Sequence, residues 1–433
     1  MDTQTPTGPA RRIAVIGAGI SGMGAAHLLS RHHHVTLIEA APRLGGHART
    51  LMAGKRGDQP VDTGFIVFNK ANYPYLVDLF EDLDVPICES SMSFGASLKG
   101  GRLEYGLKDL AAVFTQKKNM FDPRFLTMLR DVMRFNATAL EMAREDHLSI
   151  RDFLRKMRMG TWFRDYYLLP LSGAIWSTPK EKILDFPARA MIQFFENHAL
   201  LHHTGQHQWY TVKGGSVEYV RRLEEALRHR GVEIRTGAPV RAVTRTVLGV
   251  EIRQENGAWE VFDEVVMATH SDDTLRLLAD AGPDERRLLG AIRYQPNRVV
   301  LHADASIMPK RRGAWSSWNY TEVAGKPGDE IDLTYWMNSL QPIPMDDPHF
   351  VTLNSTRPIR EELIYDETTM RHPVYDLEAL QAQEALRQLN GTNRTWFCGA
   401  WLRNGFHEDG LASAHAVADG IAARAAQSAV AAE

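Results

Sequence analysis

Apolar residues recur along this chain in two distinct periods. Ile13-Ala14-Val15-Ile16 is an unbroken apolar run, which reads as a strand buried on both faces. Gly17-Ala18-Gly19-Ile20-Ser21-Gly22 follows, then Met23-Gly24-Ala25-Ala26-His27-Leu28-Leu29, predicting a tight turn and a helix. A second strand, Val35-Thr36-Leu37-Ile38, ends in Glu39. Residues 61–68 predict a short strand and 73–83 an amphipathic helix. From about 94 to 205 helix-period segments dominate, rich in Met, Phe, Tyr, Trp and Arg. Strand, helix and strand then return over 209–240, with further strands at 247–253 and 259–268. Between about 271 and 393, β-period stretches such as Asn297-Arg298-Val299-Val300-Leu301-His302 and Trp315-Ser316-Ser317-Trp318-Asn319-Tyr320 predict a sheet. The chain closes with a strand at 396–401 and a helix at 409–417 capped by Asp409.

The opening strand, turn and helix carry a G-x-G-x-x-G. Gly17 permits the turn, Gly19 lets the backbone approach a pyrophosphate, and Gly22 lets helix and strand pack closely. The helix start at Ile20 and Ser21 offers unpaired N–H groups to phosphate. Glu39 lies about 20 residues on, where a carboxylate accepts hydrogen bonds from adenosine ribose hydroxyls. Together these residues predict a dinucleotide site.

The run Glu39-Ala40-Ala41-Pro42-Arg43-Leu44-Gly45-Gly46-His47-Ala48-Arg49-Thr50 resembles the E-x-x-x-R-x-G-G-R-x-x-T motif of the flavin-containing amine oxidoreductase superfamily. The resemblance implies FAD. It assigns the ribose to Glu39, with Ala40 beside it, places Arg43 along the cofactor, and brings Gly45 and Gly46 close to the flavin. His47 stands where the family usually has arginine. The order of elements around Gly231 to Val240 resembles the family's second cofactor segment, so the backbone of Val240 inherits adenine binding. The stretch from Gly399 to Asp409-Gly410-Leu411 resembles the closing flavin motif, in which a helix N-terminus faces the flavin pyrimidine edge; Gly399, Gly410 and Leu411 are assigned to it. The implied fold is α/β: a Rossmann-like FAD-binding domain formed by 1–93, 206–270 and 394–433. An inserted, discontinuous α+β substrate domain takes a helical segment, 94–205, and a sheet segment, 271–393.

Composition narrows the setting. The chain has 433 residues, 44% hydrophobic and 24% charged, with a net charge of −3 that gives no pull toward nucleic acid. Two cysteines, Cys88 and Cys398, provide no disulfide framework, which fits a reducing cytoplasm. Cys398 reads as a small buried hydrophobe. Arg11-Arg12 before an apolar run superficially resembles a twin-arginine export signal, but that run is already the first strand and phosphate helix. No run approaches the roughly 18 apolar residues of a membrane span. Residues 102–164 hold 13 Lys and Arg against 8 Asp and Glu, a local +5. This segment reads either as a surface meeting anionic headgroups, placing the protein peripherally on the inner face of the membrane, or as a helix with a solvated basic face.

Two departures from the family bear on the substrate. Leu411 falls where the amine oxidases place a cage tyrosine, and Arg298 falls near their lysine beside flavin N5, so an apolar substrate is expected. Asp62-Thr63-Gly64-Phe65, Gly405-Phe406-His407-Glu408-Asp409-Gly410 and Trp315 to Tyr320 resemble a bacterial branch associated with cyclopropane fatty acid synthases. That resemblance implies dehydrogenation of a methylated or unsaturated phospholipid acyl chain. His407 is the candidate base, or a group shaping the flavin edge; Arg298 is the other catalytic candidate. With no second G-x-G-x-x-G, an NAD(P)H site is not expected, and electrons leave to oxygen or a quinone. An amine oxidase and a non-redox flavin isomerase are the alternatives. His198, His202, His203 and His207 include i, i+4 spacings but lack other ligands, so no metal is expected.

Overall fold

The computed structural model describes residues 9–144, 148–198, 200–201, 207–255, 257–323 and 331–430. Five strands, β1 (Arg12–Ile16), β2 (His34–Ile38), β3 (Glu233–Arg235), β4 (Glu264–Met267) and β5 (Thr395–Phe397), form a parallel sheet in the order β3-β2-β1-β4-β5. The unbroken apolar run of β1 and the largely apolar β2 follow from this position, since both faces of the sheet are covered.

Six helices frame the site: α1 (Ile20–Leu29), α2 (Pro74–Asp82), α3 (Pro123–Met142), α4 (Ala188–Asn197), α5 (Val217–His229) and α6 (His407–Val430). Met23, Leu76, Leu223 and Val417, from α1, α2, α5 and α6, share a core with Val15, Leu37 and Val266 on one face of the sheet. On the other face, Ala14, Ile16 and Met267 pack against a three-stranded antiparallel sheet beginning at Val240 and against helices Pro283–Ala291 and Leu377–Leu389. Three stretches far apart in sequence, 12–38, 233–267 and 395–397, thus meet in one sheet.

A second, seven-stranded sheet takes strands from the intervening stretches. Its order is Ile364–Val374, Arg293–His302, Phe350–Leu353, Leu333–Trp336, Trp318–Thr321, Phe94–Leu98 and Leu103–Gly106. Its largest core joins Leu98, Val299, Leu333 and Val351 to Phe125 and Phe135 of α3 and to Met191 and Phe195 of α4. The segment from 94 therefore opens with two strands of this sheet and turns helical only from Leu110.

Local differences have local causes. The strand expected over 61–68 is split into Gln59–Asp62 and Phe68–Asn69. Between them the chain bonds instead to the loop before it, Thr63 N–H to Arg49 O and Phe65 N–H to His47 O. The stretch 247–253 becomes a turn followed by Val250–Gln254, leaving Val247 and Leu248 exposed. Residues 259–268 divide at Asp263 into Trp259–Phe262 and β4, which belong to different sheets. At α6 the helix begins at His407. Asp409 lies in its first turn and reaches back to accept from Phe406 N–H at 2.9 Å. His202 and His203 lie outside the described residues.

Candidate active site

The site lies at the carboxyl ends of the parallel strands. Gly17, at φ +100°, follows β1, and a Cβ there would stand 2.7 Å from Ala268 O; at Gly22 a Cβ would collide with Gly17 O. Gly19 is the contrast, for a Cβ on it would meet nothing within 4 Å. Helix α1 starts just after it with no side-chain cap, so the N–H groups around Ile20 and Ser21 face that open space. The residues thus form a cradle that a pyrophosphate fits and a side chain would fill.

Glu39 ends β2. Its Oε2 accepts from Ala18 N–H at 2.7 Å and its Oε1 from Ala41 N–H at 2.8 Å, which holds the half-buried carboxylate still while leaving further lone pairs. Ala40 between them is exposed. Gly237 N–H bonds to Ala41 O and Ala238 N–H to Glu39 O, drawing the segment that ends in Val240 alongside the carboxylate. A ribose acceptor and the expected adenine-binding backbone are therefore neighbours.

The paired glycines rest on the phosphate loop. Gly45 N–H donates to Ala18 O at 2.8 Å, and a Cβ on Gly46 would lie 3.0 Å from Gly19 Cα. Arg43 holds this turn in shape: its guanidinium donates to the carbonyls of Gly46 at 2.8 Å, Ala48 at 3.1 Å and Leu44 at 3.2 Å. At the closing segment, Gly399 N–H donates to Ser413 Oγ at 2.9 Å, and Ser413 Oγ donates to Gly410 O at 2.6 Å. A Cβ on Gly410 would lie 2.7 Å from Ser21 Oγ, so the N-termini of α1 and α6 converge and their positive ends face the same cleft.

Beyond the glycines the cleft is lined by imidazoles. The His47 ring lies 5.6 Å from those of His270 and His372. His270 stacks on Tyr294 at 4.4 Å, while His407 stacks on Phe65 at 3.8 Å and pairs through Nε2 with the Tyr219 hydroxyl at 3.0 Å. Burial pushes His270, His372 and His407 down to about 3 and lowers His47 as well, so all four rings are neutral near pH 7. A chain of hydrogen bonds fixes one of them. Arg298 N–H donates to Asn354 Oδ1, Asn354 Nδ2 to Asn297 Oδ1, and Asn297 Nδ2 to His372 Nδ1. His372 is thereby an acceptor at Nδ1 and carries its proton on Nε2.

Three expectations change. Arg298 does not enter the site: on its strand the fully buried Asn297 faces inward, and Arg298 turns outward to pair with Glu367 at 2.6 Å, its side chain 48% exposed. The Leu411 side chain packs on α1, where a Cβ on Gly24 would stand 2.6 Å from its Cδ2, so it does not occupy the position of a substrate cage. His407, neutral and engaged by Tyr219, is a weak proton acceptor and shapes the cleft instead. Cys398 is fully buried, with its thiol pushed up to about 12.

The sequence reading missed His270, His372, Asn297, Tyr219 and Phe406. His270 carried a usable signal, since it stands three residues past the end of β4, at a strand's carboxyl end. Asn297 and His372 meet only through the pairing of two strands far apart in sequence. His270, Asp272 and Asp273 bring ligand-type atoms within 4.8 Å of one another, but Arg371 pairs with both carboxylates.

The family model for flavin-containing amine oxidoreductases matches residues 20–326. Among curated proteins, an L-amino-acid oxidase of Sistrurus catenatus edwardsii is 45% identical over 47 residues, 11% of this chain and 9% of that protein's length. Similar solved structures include a CLA-producing fatty acid isomerase from P. acnes, with a TM-score of 0.64 and 16% identity over 95% of this chain and 98% of that one. A putrescine oxidase gives 0.69 and 17% over 96% and 99%. A cyclohexylamine oxidase from Brevibacterium oxydans gives 0.66 and 14% over 96% and 99%. At these identities the likeness to the solved structures is one of fold, whereas the family match spans well over half of the sequence: the chain belongs to the flavin-containing amine oxidoreductase family, and its cofactor is FAD.

Proposed function

We propose that this FAD-dependent oxidoreductase dehydrogenates an apolar lipid, such as a methylated or unsaturated phospholipid acyl chain. The observation that carries this reading is the electrical neutrality of the reacting wall. Four imidazoles are held uncharged there, and the nearby carboxylates Asp272 and Asp273 are paired with two guanidiniums, Arg371 on both and Arg276 on Asp273. A substrate cation would find no free counter-charge among these groups. The apolar side is supplied by Phe406, immediately before α6. It packs on Phe194 of α4 at 5.2 Å and belongs to both the core of the central sheet and that of the seven-stranded sheet.

In this reading the substrate loses two hydrogens from adjacent carbons and gains a double bond. Bound FAD supplies the two-electron acceptor for the hydride, and oxygen or a quinone takes the electrons onward. The accompanying proton leaves to bulk water, and His407, kept neutral at pH 7 by burial, does not retain it. Phe65 and Tyr219 fix the plane and the hydrogen-bonded edge of His407, while Asn297 fixes the tautomer of His372.

Support from the comparisons is limited to fold: one protein sharing it is a fatty acid isomerase and another a putrescine oxidase. The test is anaerobic mixing of the FAD-loaded protein with phospholipid vesicles and, separately, with amines, following absorbance at about 450 nm. Bleaching by lipid alone, with recovered acyl chains lighter by two hydrogens, supports the proposal. Bleaching by an amine overturns it in favour of amine oxidation. A shifted double bond with no electron acceptor consumed overturns it in favour of an isomerase.

A further inference from the structure

The acidic and basic residues of 102–134 separate in space. Glu104 is fully buried among Ser97, Lys310 and Arg311, and Asp131 is turned inward to accept from Gly160 N–H. Asp122 caps α3, leaving Asp109 as the exposed acid of this stretch, with one more, Glu141, at the far end of α3. The cations face outward: Lys108, Lys117, Lys118, Arg124, Arg130 and Arg134 are all exposed. Lys108, Lys117 and Arg130 have no ion-pair partner among the described residues.

Large apolar side chains project from the same surface. Phe121 is 84% exposed and Leu110 78%, and Met120 stands beside Phe121 where the chain turns into α3. On α3 itself, Phe125, Met128, Phe135 and Ala139 face the core, while Leu126, Met133 and Leu140 repeat every seven residues on the open face, interleaved with Arg130 and Arg134. The helix thus has a second apolar stripe, on the side away from the core, set among cations.

We propose that this face, α3 with the turn before it, docks the protein on an anionic phospholipid bilayer. Phe121, Leu110 and Leu126 enter the interface while the lysines and arginines meet headgroup phosphates. A second copy of the chain fits less well, because a two-fold contact would set this surface against its own charges. A nucleic acid would engage the cations but leave the apolar tips in water. Among the described residues no helix is long and apolar enough to cross a membrane, so the contact is made from one side. The proposal does not rest on the substrate being a lipid.

The experiment is vesicle co-sedimentation of the full FAD-loaded chain without electron acceptor, so that turnover does not enter. Vesicles of phosphatidylcholine with phosphatidylglycerol are compared with phosphatidylcholine alone. The expected result is binding to the anionic vesicles that weakens with salt, falls roughly fivefold for each of Lys117→Gln and Lys118→Gln, and falls about tenfold or more in Phe121→Ser. Val247→Ser, in an exposed apolar turn elsewhere, leaves binding unchanged. Retained flavin absorbance and melting temperature show that each variant is folded. Equal binding to both vesicle types, no binding by the unmodified chain, or full binding by Phe121→Ser overturns the proposal. A dimer in light scattering that Phe121→Ser dissociates, with no vesicle binding, reassigns the face to self-association.

Discussion

Asn297 donates through Nδ2 to Nδ1 of His372 at 3.0 Å, while the residue after it, Arg298, points out to solvent. Two consecutive residues on one strand therefore predict opposite behaviour. Asn297→Ala leaves a buried imidazole nitrogen unpaired, costs about 1–3 kcal/mol in urea unfolding, and, under the proposed reaction, slows FAD reduction by the substrate. Arg298→Gln breaks an exposed pair and leaves stability within about 1 kcal/mol and the reduction rate unchanged.

Gly19 and Gly22 form a second contrasting pair. Gly22→Ala drives a methyl into Gly17 O, so the expected outcome is a destabilised chain that cannot retain flavin. Gly19→Ala meets no protein atom, so the FAD-free chain keeps its unfolding midpoint, yet the methyl occupies the pyrophosphate cradle. Its FAD affinity falls at least tenfold in a fluorescence titration, about 1.4 kcal/mol.

Glu39→Gln tests the ribose side. Both carboxylate oxygens accept backbone N–H groups, so a glutamine must turn its own NH2 toward one of those donors. FAD binding weakens about 10–100-fold, read by the same titration.

The imidazole wall makes the FAD-free fold acid-sensitive. His270, His372 and His407 sit near 3, so below pH 6.5 the unfolded chain takes up protons that the folded chain refuses. The stability they supply is complete above pH 6.5 and is lost as pH falls toward 3. Asp62 and Asp409, pushed up to about 6 by burial, act the other way: the folded chain holds their protons between 3.8 and 6, so stability from them rises on acidification. At pH 5 these three histidines cost at most about 2 kcal/mol each and the two carboxyls return at most about 1.4 kcal/mol each, a net loss of roughly 3 kcal/mol from these five groups, to which the buried His27 and His302, pushed down to about 4, add further loss. Urea midpoints between pH 7 and pH 5 check this, and His407→Gln, which keeps a hydrogen-bond partner for Tyr219, flattens the dependence.

The cofactor cradle was legible in the sequence because each of its parts is local. A turn that needs Gly17, a helix that needs Gly22 close by and a strand ending in Glu39 all declare themselves within a few residues. The wall of the cleft was not, because Asn297 and His372 are joined by strand pairing and a one-residue slip in a strand reverses the face a side chain takes. Resemblance to a family position singles out Arg298, and the strand turns it outward while Asn297 faces in. Leu411 was misplaced for a related reason: the α6 backbone reaches the site, but the helix turns that side chain onto Gly24. The basic stretch was visible as composition. Its separation into inward acids and outward cations appears only once α3 is seated on the core.

Asp62 is buried between the two sheets, accepting from Thr50, from Ser216 and from Gln341 Nε2, while its own N–H donates to Gln341 Oε1. Thr50 and Ser216 belong with the cofactor cradle, whereas Gln341 follows a helix of the seven-stranded sheet region. Swinging that region away would break both Gln341 bonds and leave the carboxylate to Thr50 and Ser216 alone, at a cost of about 1–3 kcal/mol. Through Asp62 the seven-stranded sheet region is thus clamped to the segments that carry the cofactor cradle.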